Sequence, residues 1–310
     1  MTSPGGTQAP LPQPVVVALL LLLATSFSGN HVSARLAFDH GTSVITAVTV
    51  RSAATALAVF GLLYVTRVPM VLSRQTLIRS ALIGLLLSVQ SYCLYGAVAR
   101  LPVALALLTF NTFPLMLALV SWLGGGDRPS RRTLTVMPVI LLGLALALDA
   151  RTLLAGGNTQ LPLSGVLFGL GASLSFAVVL FLTPRWLGQM DGRLRSALTM
   201  GVVAITVGIA GLAVDGFSAP TATAGWVGLA LLTLFYGSAI TGLFVLLPRV
   251  GAVNNAPIMN LEPITAMLLA WLFLGQTVTP VQILGAVVVI SAIIYLSSGP
   301  RPASAGTRRA

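Results

Sequence analysis

The chain contains few titratable residues, and the most unusual of them is a single glutamate within a long apolar segment. Glu262 is the only glutamate among six acidic residues. A carboxylate within lipid costs about 2.5–3.5 kcal/mol, so such a group usually faces a cavity or a partner. We therefore interpret Glu262 as a group that binds a substrate ammonium or carries a coupling proton. The alternative interpretation is structural: Pro263 donates no backbone hydrogen bond, and Glu262 could satisfy polar groups at the resulting kink.

Arg51 and His31 also fall within apolar segments. Arg51 could extend along its helix to the outer membrane surface, or it could hold a substrate carboxylate or pair with Glu262. Histidine changes its charge near neutral pH, which makes His31 a second candidate proton carrier. Asn30 and several small residues adjoin it, and they predict either a cavity wall or a site where two helices pack closely.

Five other polar side chains lie well inside two apolar segments, where tyrosine is not a simple membrane-interface anchor. Their positions predict the wall of a polar cavity, whose aromatic rings would suit amphipathic or aromatic solutes through stacking and cation–π contacts. These residues are Gln90, Tyr92, Tyr95, Tyr236 and Ser238.

Two asparagines precede prolines at the same spacing, Asn111 before Pro114 and Asn260 before Pro263. We predict a helix kink at each proline. An asparagine next to a kink can satisfy freed backbone groups, and it can also line a binding cavity. We assign both asparagines to the predicted cavity.

Several chemistries have no motif in the chain. It contains no phosphate-binding loop, no paired zinc-binding histidines and no nucleophile elbow. Cys93 is the single cysteine, which leaves no cysteine metal cluster or internal disulfide. We predict no cofactor, no metal and no catalytic residue, and therefore a protein that is not an enzyme.

The composition indicates a membrane protein. Hydrophobic residues make up 56% of the chain and charged residues only 7%, whereas soluble proteins carry about 25% charged residues. Crossing the hydrocarbon layer takes about 20 apolar residues as a helix. Uninterrupted apolar runs lack the alternation of barrel strands. We predict an all-α fold of ten transmembrane helices, near residues 15–36, 43–65, 78–98, 101–123, 133–149, 163–184, 196–214, 224–247, 253–274 and 279–298.

The two halves of the chain repeat each other at a constant offset. Asn111 and Asn260 are 149 positions apart (260 − 111), and the prolines, a tryptophan and a glycine that follow keep the same offset. Internal duplication in an apolar chain is typical of transporters, which bind substrate between the repeats. We predict a disordered cytoplasmic tail at 1–14, a first five-helix repeat at 15–149, a linker at 150–162, a second repeat at 163–298 and a cytoplasmic tail at 299–310.

The arginines predict how the chain is oriented, since cytoplasmic loops carry an excess of basic residues. With the N-terminus in the cytoplasm, 13 of the 17 basic residues fall inside and three fall outside, while Arg51 lies in the membrane. Both termini are then cytoplasmic. Because each repeat has an odd number of helices, the two repeats are predicted to be inverted relative to each other.

These motifs resemble the drug/metabolite transporter superfamily, in particular its ten-helix members with two EamA repeats. The resemblance rests on the run from Phe27 to His31 ending in Arg35, on Arg51, and on the Glu262-Pro263 pair. The chain differs from the family pattern at His31, which replaces an aromatic residue. It also lacks the glutamate of a Leu-Gly-Glu signature in both halves, where Asp127 and Gln276 stand instead.

The resemblance implies export of small metabolites by alternating access through a central cavity. Bacterial ten-helix members include exporters of amino acids, aromatic ones among them, and amino acids are the predicted substrates. The predicted partners are a small-molecule substrate and the lipid bilayer, without nucleic acid or an ATPase subunit, in a monomer of the bacterial inner membrane. The alternatives are a channel or uniporter for another solute, and a non-transporting receptor or assembly subunit.

Overall fold

A computed structural model describes residues 13–67, 72–125, 131–147, 163–250 and 262–297 of the chain. Within these residues all regular secondary structure is helical. The helices are α1 (Gln13–Asp39), α2 (Val44–Val65), α3 (Arg74–Arg100), α4 (Val103–Phe110), α5 (Phe113–Leu123), α6 (Arg131–Ala147), α7 (Leu163–Leu187), α8 (Gly192–Ala213), α9 (Thr223–Val250), α10 (Glu262–Leu274) and α11 (Pro280–Ser297).

The helices are those of a multi-pass membrane protein. Six stretches of the described chain are long and apolar enough to cross a membrane, and three shorter apolar helices accompany them. Large apolar side chains such as Leu57, Leu212 and Phe273 are exposed on the outside of the bundle, as lipid-facing residues are. The all-α prediction is confirmed for the described residues. The count of ten membrane helices, the inverted relation of the repeats, the cytoplasmic termini and the domain boundaries stay predictions.

The stretch from Val103 to Leu123 is a single apolar span that is interrupted in the middle. The helix stops at Phe110 and restarts at Phe113, with Asn111 and Thr112 in a turn between α4 and α5. Pro114 follows immediately and cannot donate a backbone hydrogen bond. The amide of the Asn111 side chain donates to the Leu107 carbonyl at 2.8 Å, and the Thr112 hydroxyl donates to the Thr109 carbonyl at 2.8 Å.

The interruption lies where the sequence predicts a kink. The Asn111 side chain gives the Leu107 carbonyl a second hydrogen bond, since that carbonyl already accepts from the Asn111 backbone amide at 2.8 Å. The corresponding kink at Pro263 stays a prediction. Helix α10 begins at Glu262, while Asn260 lies outside the described residues.

Helices from the two halves of the chain pack in pairs. Helix α1 lies along α9, α2 along α8, α3 along α7 and α6 along α11, while α4 contacts α10. Each pair takes one helix from each predicted repeat. The α1–α9 contact is close because α9 carries Gly228. A Cβ atom at this position would lie 2.8 Å from both the Ala37 nitrogen and the Ser33 carbonyl oxygen.

We expect Gly228→Ala to destabilise the bundle. The added methyl group meets backbone atoms, which cannot rotate away, and overpacking of this kind costs about 1–3 kcal/mol. Thermal unfolding in detergent, followed by circular dichroism, measures the loss. Gly61→Ala is the matched control, because a Cβ atom there has no neighbour within 4 Å. Equal melting temperatures for the two variants would contradict the close α1–α9 packing.

Candidate substrate cavity

A cavity of about 740 Å³ lies in the middle of the bundle. Its deep part is lined by residues such as His31, Arg51 and Tyr95, and it extends to the ends of α7 and α8. We call that second region the open end, because Pro184 and Gly188 are exposed there. The walls come from both predicted repeats, so the cavity lies between the two halves of the duplication.

Arg51 is a buried cavity residue, with only 3% of its surface exposed. Its guanidinium donates hydrogen bonds to the Tyr95 hydroxyl at 3.2 Å and to the Ser91 hydroxyl at 3.0 Å. The guanidinium carbon also lies 3.9 Å from the centre of the Tyr236 ring. The interpretation in which Arg51 extends to the membrane surface is therefore wrong. Aromatic faces and two hydroxyl groups hold the side chain inside the bundle instead.

The positive charge of Arg51 has no acidic partner among the described residues. Among the described residues, no carboxylate oxygen lies within 4.0 Å of a guanidinium nitrogen of Arg51, the distance that defines an ion pair. The buried Nε atom of Arg51 has no hydrogen-bond acceptor among them either. Burying an unpaired charge is costly. The arrangement therefore favours a negatively charged ligand in the cavity.

Asn30 lies behind the cavity wall and does not line the cavity, so its prediction as a cavity-wall residue is wrong. It is fully buried, and its side-chain oxygen accepts a 2.7 Å hydrogen bond from the Tyr95 hydroxyl. Because the Tyr95 proton points to Asn30, the lone pairs of the Tyr95 oxygen face Arg51. Asn30 thus orients Tyr95, and Tyr95 helps to orient Arg51.

Glu262 and His31 face each other across the cavity wall formed by α10 and α1. The Nε2 atom of His31 lies 3.4 Å from a carboxylate oxygen of Glu262. The His31 side chain is 6% exposed and that of Glu262 20% exposed, so the carboxylate is the more accessible of the two. The His31 ring also packs edge-on against Tyr95, with ring centres 5.9 Å apart. This contact joins the Glu262–His31 pair to the residues around Arg51.

The other predicted cavity residues divide into two groups. Gln90, Asn111 and Tyr236 line the cavity, and the Gln90 oxygen accepts a hydrogen bond from Ser91 at 3.3 Å. Tyr92 and Ser238 do not belong to the cavity wall, and their assignment to it is corrected here. Both residues are exposed.

Helix geometry explains the two corrections. Tyr92 is turned about 100° around the helix from Ser91, and its ring packs against Phe168 with ring centres 6.1 Å apart. Ser238 is turned about 200° from Tyr236, and its hydroxyl donates to the Phe235 carbonyl at 3.1 Å.

An aromatic wall of the cavity was not predicted. Phe110, Phe113 and Phe176 line it, and the distances between their ring centres range from 5.1 to 5.6 Å. Two of these rings flank the interruption between α4 and α5, and the third comes from α7. The repeat offset could have indicated Phe176, since it corresponds to Phe27, which also lines the cavity.

We call the opposite end of the bundle the closed end, because no residue of the ranges 34–43, 98–102 and 218–221 lines the cavity. Arg35 donates from one nitrogen to the carbonyls of Val98, Ala99 and Leu101 at 3.2–3.3 Å, and it forms an ion pair with Asp39 at 2.9 Å. The side chain thereby joins the end of α1 to the end of α3. Arg35 is not among the residues that line the cavity.

Two loops are also joined at the closed end. The loop at 40–43, between α1 and α2, meets the loop at 218–221, before α9. The Thr221 amide donates to the His40 carbonyl at 2.9 Å, and the Ser218 hydroxyl donates to the Gly41 carbonyl at 2.6 Å. We call Arg35 and these loop contacts together the closing contacts.

Comparison with known proteins identifies the family. Residues 15–148 and 163–298 match the EamA-like transporter family. The chain belongs to this family. Membership in the EamA-like transporter family implies a small-molecule substrate and a membrane location.

Among the described residues, no group of three His, Cys, Asp or Glu side chains could hold a metal ion.

Two curated relatives of this EamA-like transporter carry the same name. Threonine/homoserine exporter RhtA of Salmonella typhimurium strain SL1344 is 27% identical over 215 residues, which cover 67% of each chain. Threonine/homoserine exporter RhtA of Escherichia coli strain K12 is 26% identical over 222 residues, covering 70% of this chain and 68% of the relative. A solved crystal structure has the same fold, with a TM-score of 0.52, 16% identity, and coverage of 91% of this chain and 95% of that one.

Proposed function

We propose that the protein is a secondary transporter of the bacterial inner membrane that exports amino acids by alternating access. The observation that carries the proposal is the charge arrangement of the cavity. Arg51 offers a buried cation without a described acidic partner, and Glu262 offers a carboxylate on a different helix. A zwitterionic amino acid has one group for each. The threonine and homoserine named for the relatives have the same two charged groups.

In this proposal, a different cavity residue binds each charged group of the substrate. The carboxylate binds the guanidinium of Arg51, whose planar donors match carboxylate geometry. The ammonium binds Glu262, beside His31. Because both charges of the ligand are neutralised inside the cavity, its desolvation is offset by two charge-assisted hydrogen-bonded pairs.

A single carboxylate can also couple transport to protons. Glu262 binds either the substrate ammonium or a proton, but not both at once. A protonated carrier would then return to the cytoplasmic side while a loaded carrier moves outward, which exchanges one proton for one amino acid. We propose that His31, whose Nε2 atom lies 3.4 Å from a carboxylate oxygen of Glu262, passes the proton to this carboxylate.

Alternating access follows from the duplication and from the two ends of the cavity. The open-end residues Thr183, Pro184 and Gly188 lie 149 positions after Ala34, Arg35 and Asp39 at the closed end (183 − 34). We propose that inverted repeats of five helices relate the two ends, as in other transporters with inverted repeats. We propose that both termini and the open end lie on the cytoplasmic side, as the arginine distribution predicts. We also propose that the protein is a monomer.

We expect the two ends to exchange accessibility when the closing contacts are removed. In a Cys93→Ser background, Pro184→Cys, which replaces an exposed residue, should react quickly with a soluble maleimide, while Ala34→Cys, which replaces a fully buried residue, should react slowly. Adding Arg35→Ala should speed the reaction at position 34 about tenfold or more, since hydrogen bonds of a charged group contribute about 1.5–3 kcal/mol.

The pair of cysteines contains its own control. Because position 184 corresponds in the duplication to position 35, next to position 34, a reaction at 34 that rises while that at 184 falls indicates a switch between two states. If both sites speed up together, Arg35→Ala has loosened the whole bundle, and the alternating-access proposal loses this support.

Efflux from proteoliposomes tests the function itself. Vesicles loaded with radiolabelled amino acids should release them faster than protein-free vesicles, with a rate that saturates with substrate concentration. An external acid pH should increase the efflux. A rate without saturation would favour a channel, and no release of any amino acid above empty vesicles would overturn the amino-acid assignment.

A further inference from the structure

The duplication relates twelve of the lining residues as six pairs, in which both members line the cavity. In five of these pairs one member is polar, charged or hydroxyl-bearing, and we call these five members the polar half: His31, Arg51, Ser91, Tyr236 and Glu262. Shifting each by 149 positions gives five residues that also line the cavity, and all five are apolar. We call them the apolar half: Leu180, Met200, Ile240, Leu87 and Phe113.

In each of the five pairs a polar residue corresponds to an apolar one, although the polar residues come from both repeats. His31, Arg51 and Ser91 belong to the first repeat, whereas Tyr236 and Glu262 belong to the second. The difference is therefore not between one repeat and the other. It is between two regions of the cavity that the duplication relates to each other.

Contacts join members of the polar half to one another, and they join the apolar half to the aromatic wall. In the polar half, Arg51 binds Ser91 at 3.0 Å and stacks on Tyr236 at 3.9 Å. In the apolar half, Phe113 packs against Phe176 with ring centres 5.1 Å apart. Phe176 corresponds to Phe27, so this position is aromatic in both regions.

The two halves adjoin within the same cavity. The Tyr236 hydroxyl lies 3.6 Å from the sulfur of Met200, and Met200 is the apolar counterpart of Arg51. A ligand held by Arg51 therefore has the apolar half as its neighbour.

We infer that the substrate is an amino acid with a large apolar or aromatic side chain, and that this side chain binds in the apolar half. The inference rests on the proposed function, in which the charged ends bind the polar half. The aromatic wall of Phe110, Phe113 and Phe176 provides stacking partners for a ring. Other polar residues line the cavity as well, but the apolar half and the aromatic wall together form an apolar surface that a hydroxylated side chain would leave without polar contacts. These other residues include Asn111, Arg195 and Thr199.

Half-saturating concentrations for glycine, threonine, leucine and phenylalanine in proteoliposome efflux test the inference. A single methylene in an apolar pocket changes discrimination by about tenfold or more. We expect the half-saturating concentration of phenylalanine or leucine to be at least tenfold lower than that of glycine or threonine. Equal values, or a preference for threonine, would overturn the inference and leave amino-acid export intact.

Two variants test whether the substrate side chain binds in the apolar half. Phe176→Ala should raise the half-saturating concentration of phenylalanine about tenfold and leave that of glycine nearly unchanged, and Leu180→Ala should act in the same direction without removing a ring. The controls are Phe273→Ala and Leu212→Ala, because both side chains are exposed on the outside of the bundle. If Phe176→Ala and Leu180→Ala weaken glycine and phenylalanine equally, the apolar half does not bind the side chain. If the unchanged protein exports no amino acid, the proposed function fails first.

Discussion

Replacing Arg51 with methionine is expected to reduce amino-acid efflux by on the order of 100-fold, since truncating one partner of a buried charge pair costs about 2–5 kcal/mol. Methionine has similar length and is the residue that stands at the corresponding position 200. The variant therefore removes the charge with little change in volume. The loss should appear in the efflux rate at low substrate concentration, which reports both binding and turnover.

Two further variants test whether the loss of efflux comes from the guanidinium group of Arg51. Arg51→Lys keeps the charge but cannot make the paired contacts of a guanidinium, so it should recover only part of the activity. Arg100→Met is the matched control, because Arg100 is exposed and stacks on Phe168 at 4.5 Å. Full activity in Arg51→Met would show that the carboxylate binds elsewhere.

Glu262→Gln is expected to remove the stimulation of efflux by external acid. Glutamine keeps the size and hydrogen-bonding groups of the side chain, but it can neither gain nor lose a proton near neutral pH. The variant should also bind substrate more weakly, since the ammonium loses its anionic partner. Efflux measured with and without a pH gradient should then give a ratio near one, instead of the several-fold ratio expected for the unchanged protein.

Asp191→Asn serves as the control for Glu262→Gln. Asp191 caps the N-terminus of α8, and hydrogen bonds from the Arg193 side chain lower the pKa of its carboxyl group. The control thus removes a carboxylate that stays ionised across the tested pH range and does not line the cavity. A pH-gradient response that survives in Glu262→Gln would rule out coupling through this residue. His31→Phe, which keeps the ring beside Tyr95, separates the role of the histidine from that of the glutamate.

The sequence alone identified the helical class and the rare charged groups, because lipid makes charge so costly that each such residue is conspicuous. Glu262, His31 and Arg51 stand out for this reason. What the sequence did not determine was rotation about the helix axis. Tyr92 and Ser238 lie in the same helices as true cavity residues but on other faces, and in a membrane bundle both faces are apolar enough to hide the difference.

The apolar part of the cavity could not be predicted from the sequence, for a related reason. In a chain this hydrophobic, Phe113 or Phe176 facing a cavity has the same character as a phenylalanine facing lipid, such as Phe273. Only three-dimensional contacts separate the two environments. The position of the Arg51 side chain could not be predicted because it is long enough to reach either the membrane surface or the interior. In the structure, the nearby rings and hydroxyl groups hold it in the interior.

If the protein is the exporter proposed above, the closing contacts also have a consequence for the cell. A carrier without ligand spends most of its time in its more stable form, and a ligand that binds only the rarer form has its apparent affinity lowered by that population. If the hydrogen bonds between Thr221 and His40 and between Ser218 and Gly41 favour the cytoplasm-facing form, external amino acid finds few vacant sites. Product that accumulates in the medium would then slow export only weakly, and little of it would return.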